Sequence, residues 1–221
     1  MHLIITIDGV DGAGKTEVVT LLSEKFDGIV IKTPHPKFLN SARRFVDSRA
    51  QDTISRSVYY LSSLKHATDL QTSDLEDSSK LIVFDRYINS TLASNVALDE
   101  IHNNGRNVLA IQTLLNNENN GLVVPDIEVF FYVDMEVRSR RLLLRDRAQD
   151  NNLDFDQMFA EKTQEFFKVI AVQHKKQGSD VLEIDTSKKT IAEVFNLVDI
   201  CITNKYKEQR ILPKRSIAVK I

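Results

Sequence analysis

The chain predicts an α/β fold in which a parallel sheet is covered by helices on both faces. Three observations predict it. Five short apolar runs, 3–7 (LIITI), 28–33 (GIVIKT), 80–84 (KLIVF), 127–133 (IEVFFYV) and 181–184 (VLEI), are near-continuous rather than alternating, as strands buried on both faces are. Helical patterns separate the runs, so strand and helix alternate along the chain, the order that builds a parallel sheet. The first run leads into a glycine-rich turn, GVDGAGKT at residues 9–16, that opens directly on a helical pattern.

Each element has its own signal. Residues 17–26 place Val18, Val19, Leu21, Leu22 and Phe26 at helical spacing. After the second run, Thr33-Pro34-His35-Pro36 stops regular structure, because each proline restricts the residue before it. Residues 38–49 and 53–75 read as helices, the second carrying Ile54, Val58, Leu61, Leu64 and Leu75 among polar positions. Helices are predicted over 88–98 and 107–115, separated by the turn-rich His102-Asn103-Asn104-Gly105. Residues 136–147 form a helical pattern dense in arginine, broken by AQDNN at 148–152 and resumed over 154–175. The last helix of the core spans 190–203. Neither repeat nor linker interrupts the series. The organisation is one domain over 1–203, with a lid at about 138–155 and a basic extension over 204–221. That extension is either a solvated tail, with 215–221 alternating enough for an edge strand, or an arm that contacts phosphates or a second copy.

Composition narrows the function classes. The 221 residues are 42% hydrophobic and 27% charged with a formal net charge of −2, which gives no global argument for binding nucleic acid or a membrane surface. A single cysteine, Cys201, excludes an intrachain disulfide, and five scattered histidines lack zinc-ligand spacing. The apolar runs are far too short to span a bilayer, and no signal peptide is readable, so a cytoplasmic setting is expected.

The chemistry starts at Gly9. The pattern G-x-x-x-x-G-K-[ST] is met by Gly9, Gly14, Lys15 and Thr16, between a strand and a helix as the mechanism requires. Glycines let backbone N–H groups cradle phosphate oxygens at a helix N-terminus, where the dipole favours negative charge. Lys15 reaches the outer phosphates and the Thr16 hydroxyl can ligate Mg2+. Asp85 ends an apolar strand, where phosphate-loop proteins place a carboxylate that organises Mg2+ and its waters. Beside it, Arg86 can pin an anionic acceptor by a bidentate contact that lysine cannot reproduce. The alternative for Asp85-Arg86 is a strand-end ion pair.

Arg138, Arg140, Arg141, Arg145 and Arg147 crowd one helix. Such a face repels itself in water. Arginines closing over bound phosphates would neutralise transition-state charge and exclude water, so a mobile lid is expected, with Arg145 and Arg147 nearest the break as its working residues. A plain solvated face is the alternative. A guanine-reading N-K-x-D segment is missing: Asn204-Lys205-Tyr206-Lys207 lacks the aspartate. A small-substrate kinase is therefore favoured over a GTPase switch.

From Ile4 to about Val198 the chain resembles the thymidylate kinase family of nucleoside monophosphate kinases, which are P-loop proteins. The resemblance rests on IDGVDGAGKTE at 7–17, VFDRYINST at 83–91, PDIEVFFYVD at 125–134, the arginine-rich segment and IDTSKKTIAEV at 184–194. It implies a parallel five-stranded sheet and transfer of the ATP γ-phosphoryl group, with Mg2+, to a nucleotide acceptor, usually dTMP. A homodimer is possible by the same analogy. By match, the loop Gly9, Asp11, Gly12, Ala13, Gly14, Lys15 and Thr16 binds phosphates, with Asp11 reaching the acceptor's sugar hydroxyl. Arg86 would hold the acceptor phosphate, Ser90 or Thr91 would face its base, and residues 186–189, with Ser187 and Lys188, would lie near the adenine of ATP. Ala13 is small where some members carry a basic loop residue, which shifts charge work to the lid.

Departures concentrate on the acceptor side. The family's T-R-E-P-G after strand two is Thr33-Pro34-His35-Pro36 here. Counting back from Asp85 puts Lys65 where an arginine is expected and Leu61 where an aromatic stacks on the base, with Tyr59 and Tyr60 adjacent. Ser94 replaces a tyrosine. A monophosphate acceptor is already nucleophilic and needs only positioning and charge neutralisation. A nucleoside acceptor would need a base near the end of strand two, where only His35 stands. Two other readings stay open: a deoxynucleoside or other small-molecule kinase of this fold, and a nucleotide-binding regulatory module with weak catalysis.

Overall fold

A computed structural model describes residues 2–34, 40–72, 81–144 and 156–211. Five strands, β1 (Leu3–Gly9), β2 (Ile29–Lys32), β3 (Leu81–Asp85), β4 (Ile127–Tyr132) and β5 (Val181–Asp185), form one parallel sheet in the order β2-β3-β1-β4-β5. Among the described residues, eight helices connect or flank them: α1 (Lys15–Phe26), α2 (Asn40–Asp47), α3 (Thr53–Thr72), α4 (Ile88–Asn103), α5 (Val108–Leu115), α6 (Met135–Leu143), α7 (Gln157–Lys176) and α8 (Ile191–Ile211). The predicted class therefore holds, with five strands as expected.

The central strands explain the continuous apolar runs. Leu3, Ile5 and Ile7 are fully buried, and so are Thr6 and Asp8, which alternate with them toward the other face. The whole of β3 is buried. One large core runs from β1 and β4 out to α1, α4, α7 and α8. Helix α1 packs against α8, while α4 lies between α3 and α7. Fully burying each Leu, Ile or Phe in such a core contributes roughly 1.5–3 kcal/mol.

Helix α8 runs eight residues past the predicted end of the core. Tyr206 packs its ring on Phe26 at 6.1 Å, Ile202 is fully buried, and Lys205 pairs with Asp180. The first part of the basic extension is thus a docked helix. Residues 212–221, including the suggested edge strand, lie outside the described residues.

Because all strands are parallel, their carboxyl ends share one edge of the sheet. The chain leaves β1 toward β2 on one side, and β3 leads to β4 on the other. The crevice between the ends of β1 and β3 is the topological switch point where ligands bind in open α/β sheets.

Candidate active site

The loop after β1 enters that crevice under tight steric control. A Cβ at Gly9 would meet the carbonyl oxygen of Phe131 at 2.7 Å, so only glycine lets β1 and β4 close up here. Gly14, in the left-handed region at φ +88°, then turns the chain into α1. Lys15 is 5% exposed; its Nζ donates to Val10 O at 2.9 Å and lies 3.9 Å from Asp11 Oδ1. Thr16 sits on the open first turn of α1, its side chain exposed.

The turn after β3 is strained. Arg86 has φ +71°, a conformation costing a non-glycine residue about 1–3 kcal/mol. Three contacts impose it. Arg86 N–H donates to Ile7 O at 3.1 Å, Thr33 Oγ1 donates to Arg86 O at 2.8 Å, and the next N–H, of Tyr87, donates to Asp8 Oδ1 at 3.0 Å. The guanidinium turns back over the loop, where Nη2 donates to Asp11. Strain of this kind at a strand end directs one charged group at one place.

Lys15, Thr16, Asp85 and Arg86 all line one cleft of about 290 Å3. Its far wall is built from α2, α3 and α4 by Arg43, Asp47, Arg56, Tyr60, Thr91 and Ser94. These residues hold each other in place. Asp47 Oδ1 accepts from Arg56 Nη1 at 2.7 Å and from the Tyr60 hydroxyl at 2.7 Å, while Arg56 Nε donates to Asn95 Oδ1 at 3.3 Å. Burial and the neighbouring Asp47 carboxylate push the Tyr60 phenol up to about 12, so it stays a neutral donor.

Several expected site residues stand elsewhere. Lys65 does not line the cleft; it pairs with Asp69 and packs its chain under Gly121. Leu61 packs on the main core. Helical phase is the reason: Arg56, Tyr60 and Leu64, spaced four apart, form the cleft-facing row of α3. Tyr60, not Leu61, is the aromatic of the far wall, one residue from the position obtained by counting back from Asp85. Arg43, Asp47 and Arg56 were not singled out from sequence; the four-residue spacings Arg43–Asp47 and Arg56–Tyr60 were the available signal. Ala13 is buried in the core at 1% exposure, and the loop residue that meets the arginine-rich helix is Gly12. A Cβ there would meet Arg138 Cγ at 3.1 Å.

The arginines separate by role. Arg138 is 2% exposed and lines the cleft, so it is fixed rather than swinging in from solvent. Arg141 latches α6 to the phosphate loop and to the end of β5, donating to Gly12 O at 3.1 Å and Thr186 O at 2.7 Å. Arg140 points to solvent. Arg145 and Arg147, with most of the expected lid, lie outside the described residues, as does His35. Thr91 and Ser90 line the cleft, but the Ser90 hydroxyl is committed to Asp8. Ser187 closes the turn after β5, bonded to Asp185 and to the N–H of Asp134 at 2.8 Å, and Lys188 is exposed. A second, shallower recess lies between Gly12, Gly14, Glu17, Arg141, Leu144 and Ile191.

A phosphate loop and a strand-end Asp-Arg pair, facing a built far wall across one cleft at a sheet switch point, define a P-loop phosphotransferase with room for two substrates. Comparison with known proteins supplies the particular family. The thymidylate kinase family model matches residues 7–198, and the chain belongs to that family. The chain is 26% identical over 206 residues to the thymidylate kinase of Staphylococcus epidermidis, covering 90% of this chain and 98% of that one. It is 23% identical to the probable thymidylate kinase of Methanocaldococcus jannaschii, over 88% and 93% of the two chains. Among solved structures, the thymidylate kinase of Candida albicans superposes with a TM-score of 0.73 at 25% identity, covering 92% of each chain. The deoxyadenosine kinase of M. mycoides shares the fold, with a TM-score of 0.69 at 17% identity over 91% of this chain and all of that one. The protein is accordingly a nucleoside monophosphate kinase that uses ATP as phosphoryl donor. No described helix is long and apolar enough to cross a membrane.

Proposed function

We propose that the acceptor is dTMP, converted to dTDP, and that Lys15, Thr16, Asp85 and Arg86 carry the transfer. The supporting observation is the single cleft that runs from Lys15 and Thr16 past Arg86 to the Tyr60 and Thr91 wall. Phosphoryl transfer demands positioning and charge neutralisation more than covalent chemistry. Lys15, at the start of α1, holds the outer phosphates of ATP together with the loop N–H groups. Arg86 fixes the acceptor phosphate in line with them. Asp11 lies between the two cations and reaches the acceptor's sugar. Tyr60 offers a ring held by its own hydroxyl bond to Asp47, and Thr91 lines the same wall.

The residues present fit Mg2+. Thr16 and Asp85 offer a hydroxyl and a carboxylate in one cleft, the hard oxygen donors that ion prefers. Among the described residues no group of three acidic, His or Cys side chains could bind a metal by itself, which suits an ion completed by phosphates and water. Thr16 and Asp85 would hold the ion, and it would supply neutralisation of the charge that develops on the phosphates.

The carboxylates that line the cleft favour a monophosphate over a nucleoside. Asp11 is tied to Arg86 and Asp47 to Arg56 and Tyr60, and the third, Asp85, would hold Mg2+, so none of the three serves as a base toward a hydroxyl. A coupled ADP-release assay across nucleosides and nucleoside monophosphates, with Lys15→Ala as control, tests the proposal. Turnover is expected with dTMP and lost in the control. Turnover on nucleosides alone would move the enzyme to another class, and no acceptor-dependent turnover would leave only nucleotide binding.

A further inference from the structure

Behind the cleft, under α4 and α7, lies a buried polar cluster. Asp8 is fully buried. Its Oδ1 accepts from Tyr87 N–H and the Ser90 hydroxyl, and its Oδ2 has no hydrogen-bond partner among the described residues. On the next strand, Glu128 is 6% exposed. Its Oε2 accepts from Asn89 Nδ2 at 2.6 Å and faces His174 Nδ1 at 2.8 Å. Tyr87, Asn89 and Ser90 are the cap and first turn of α4. Two buried carboxylates, one on β1 and one on β4, therefore grip the same turn, and His174 on α7 grips the second carboxylate.

That turn follows Arg86 without a break. The φ +71° of Arg86 persists only while the residues after it are held. Asp8 holds Tyr87 directly. Glu128 holds Asn89 two residues further on.

We propose that Glu128, Asn89 and His174 are positioning residues for Arg86, a clamp across β4, α4 and α7 that sets the angle at which the guanidinium meets the acceptor phosphate. The inference rests on the proposed role of Arg86. None of the three lines the cleft, so all act through the backbone of α4.

The clamp has a pH dependence with a definite sign. The titratable groups facing His174 are Glu128 from β4 and, further off, Asp8 from β1, whose carboxyl burial pushes above its ordinary value; α4 presents the neutral Asn89, and the neighbouring Lys175 is turned away to Glu183. The Glu128 hydrogen bond raises the His174 pKa, burial opposes it, and the charges of Glu128 and Asp8 add to the rise. A group raised on folding contributes fully below its unfolded value, about 6.5, and the contribution is lost as pH rises through the folded value. The clamp is therefore tight in mild acid and slackens on the alkaline side.

Steady-state kinetics and calorimetry from pH 6 to 9 on wild type, H174Q and E128Q test it. Glutamine at 174 keeps a neutral donor without the titration, and glutamine at 128 keeps the shape and an acceptor for Asn89. Normalising each variant to wild type cancels titration of the acceptor's own phosphate, whose second pKa is about 6. At neutral pH, E128Q is expected to raise the acceptor KM and Kd about three- to tenfold, up to roughly 1.4 kcal/mol, with the ATP KM unchanged. Wild type is expected to lose acceptor affinity on the alkaline side, and H174Q is expected to remove that loss. Acceptor profiles of wild type and H174Q that superimpose, or a parallel rise of both KM values in E128Q, overturn the clamp. A wild type without turnover on dTMP defeats the proposed acceptor instead, and the calorimetric affinities for dTMP still decide the clamp.

Discussion

Asp11 and Arg86 are joined across the mouth of the cleft, Nη2 of the arginine donating to Oδ1 of the aspartate, and that same Oδ1 lies 3.9 Å from Nζ of Lys15. One carboxylate thus stands between the two cations proposed to serve the two phosphates. Without ligand it offsets their charge. With both substrates present it must share them with phosphate oxygens.

Asp11→Asn tests that competition. Both partners are about a third exposed, so the pair is screened and is worth about 1 kcal/mol or less. Pyrophosphate, which needs only the cations, is expected to bind the variant about two- to fivefold more tightly. The dTMP KM should move the other way, because the sugar loses its acceptor. Calorimetry with pyrophosphate checks the first expectation, and weaker binding there would mean that Asp11 orients the cations rather than competing for them.

Arg86→Lys keeps the charge and loses the planar fork. The lysine would also occupy a backbone conformation at φ +71° that arginine holds only through its neighbours. Removing one such electrostatic contact typically lowers kcat about 100- to 1000-fold. The loss should fall on the acceptor-dependent rate, leaving ATP binding near wild type by calorimetry.

The far wall separates neighbours on one helix. Tyr60 lines the cleft and Leu61 packs on the core. An aromatic stack is worth roughly 1–3 kcal/mol per base, so Tyr60→Ala should raise the dTMP KM about 5- to 150-fold. Tyr60→Phe, which keeps the ring, should raise it far less. Leu61→Ala should lower Tm while leaving KM in place. Equal effects on KM from Y60A and L61A would remove Tyr60 from the acceptor site.

The phosphate loop's place in the fold was legible because its signal is local. Gly9 to Thr16 is contiguous, and its strand and helix flank it directly, so spacing carries geometry. Asp85-Arg86 was legible because a strand end fixes where both side chains emerge. The acceptor wall was not, because it depends on the phase of α3 relative to the sheet. A count from Asp85 carries across residues 73–80, and a difference of one residue turns a helix by about 100°. That difference exchanged Tyr60 for Leu61 and Leu64 for Lys65. The buried acids were obscured in another way: within IEVFFYV, Glu128 looks like a lapse in an apolar strand, and its partners Asn89 and His174 are 39 and 46 residues away.

Asp99 gives a prediction about stability rather than turnover. It is fully buried near the end of α4, where its carboxylate accepts from Thr53 Oγ1 at 2.8 Å, Asn103 Nδ2 at 2.7 Å, Asn107 N–H at 2.7 Å and Asn107 Nδ2 at 2.9 Å. One side chain thereby ties the start of α3 and the turn before α5 to α4. Burial pushes its pKa up, but the hydrogen bonds to the charged form outweigh burial and lower it. A carboxyl lowered on folding contributes stability above its unfolded value, about 3.9, and loses it as pH falls through the folded value. Asp99→Ala leaves several buried donors unpaired and should cost about 2–4 kcal/mol in urea unfolding at pH 7. Asp99→Asn fills the space but cannot accept at both oxygens, so it should fall between. The gap between wild type and D99N should narrow as pH drops below about 4. A gap unchanged from pH 7 to pH 3 would show that the side chain acts by shape and not by charge.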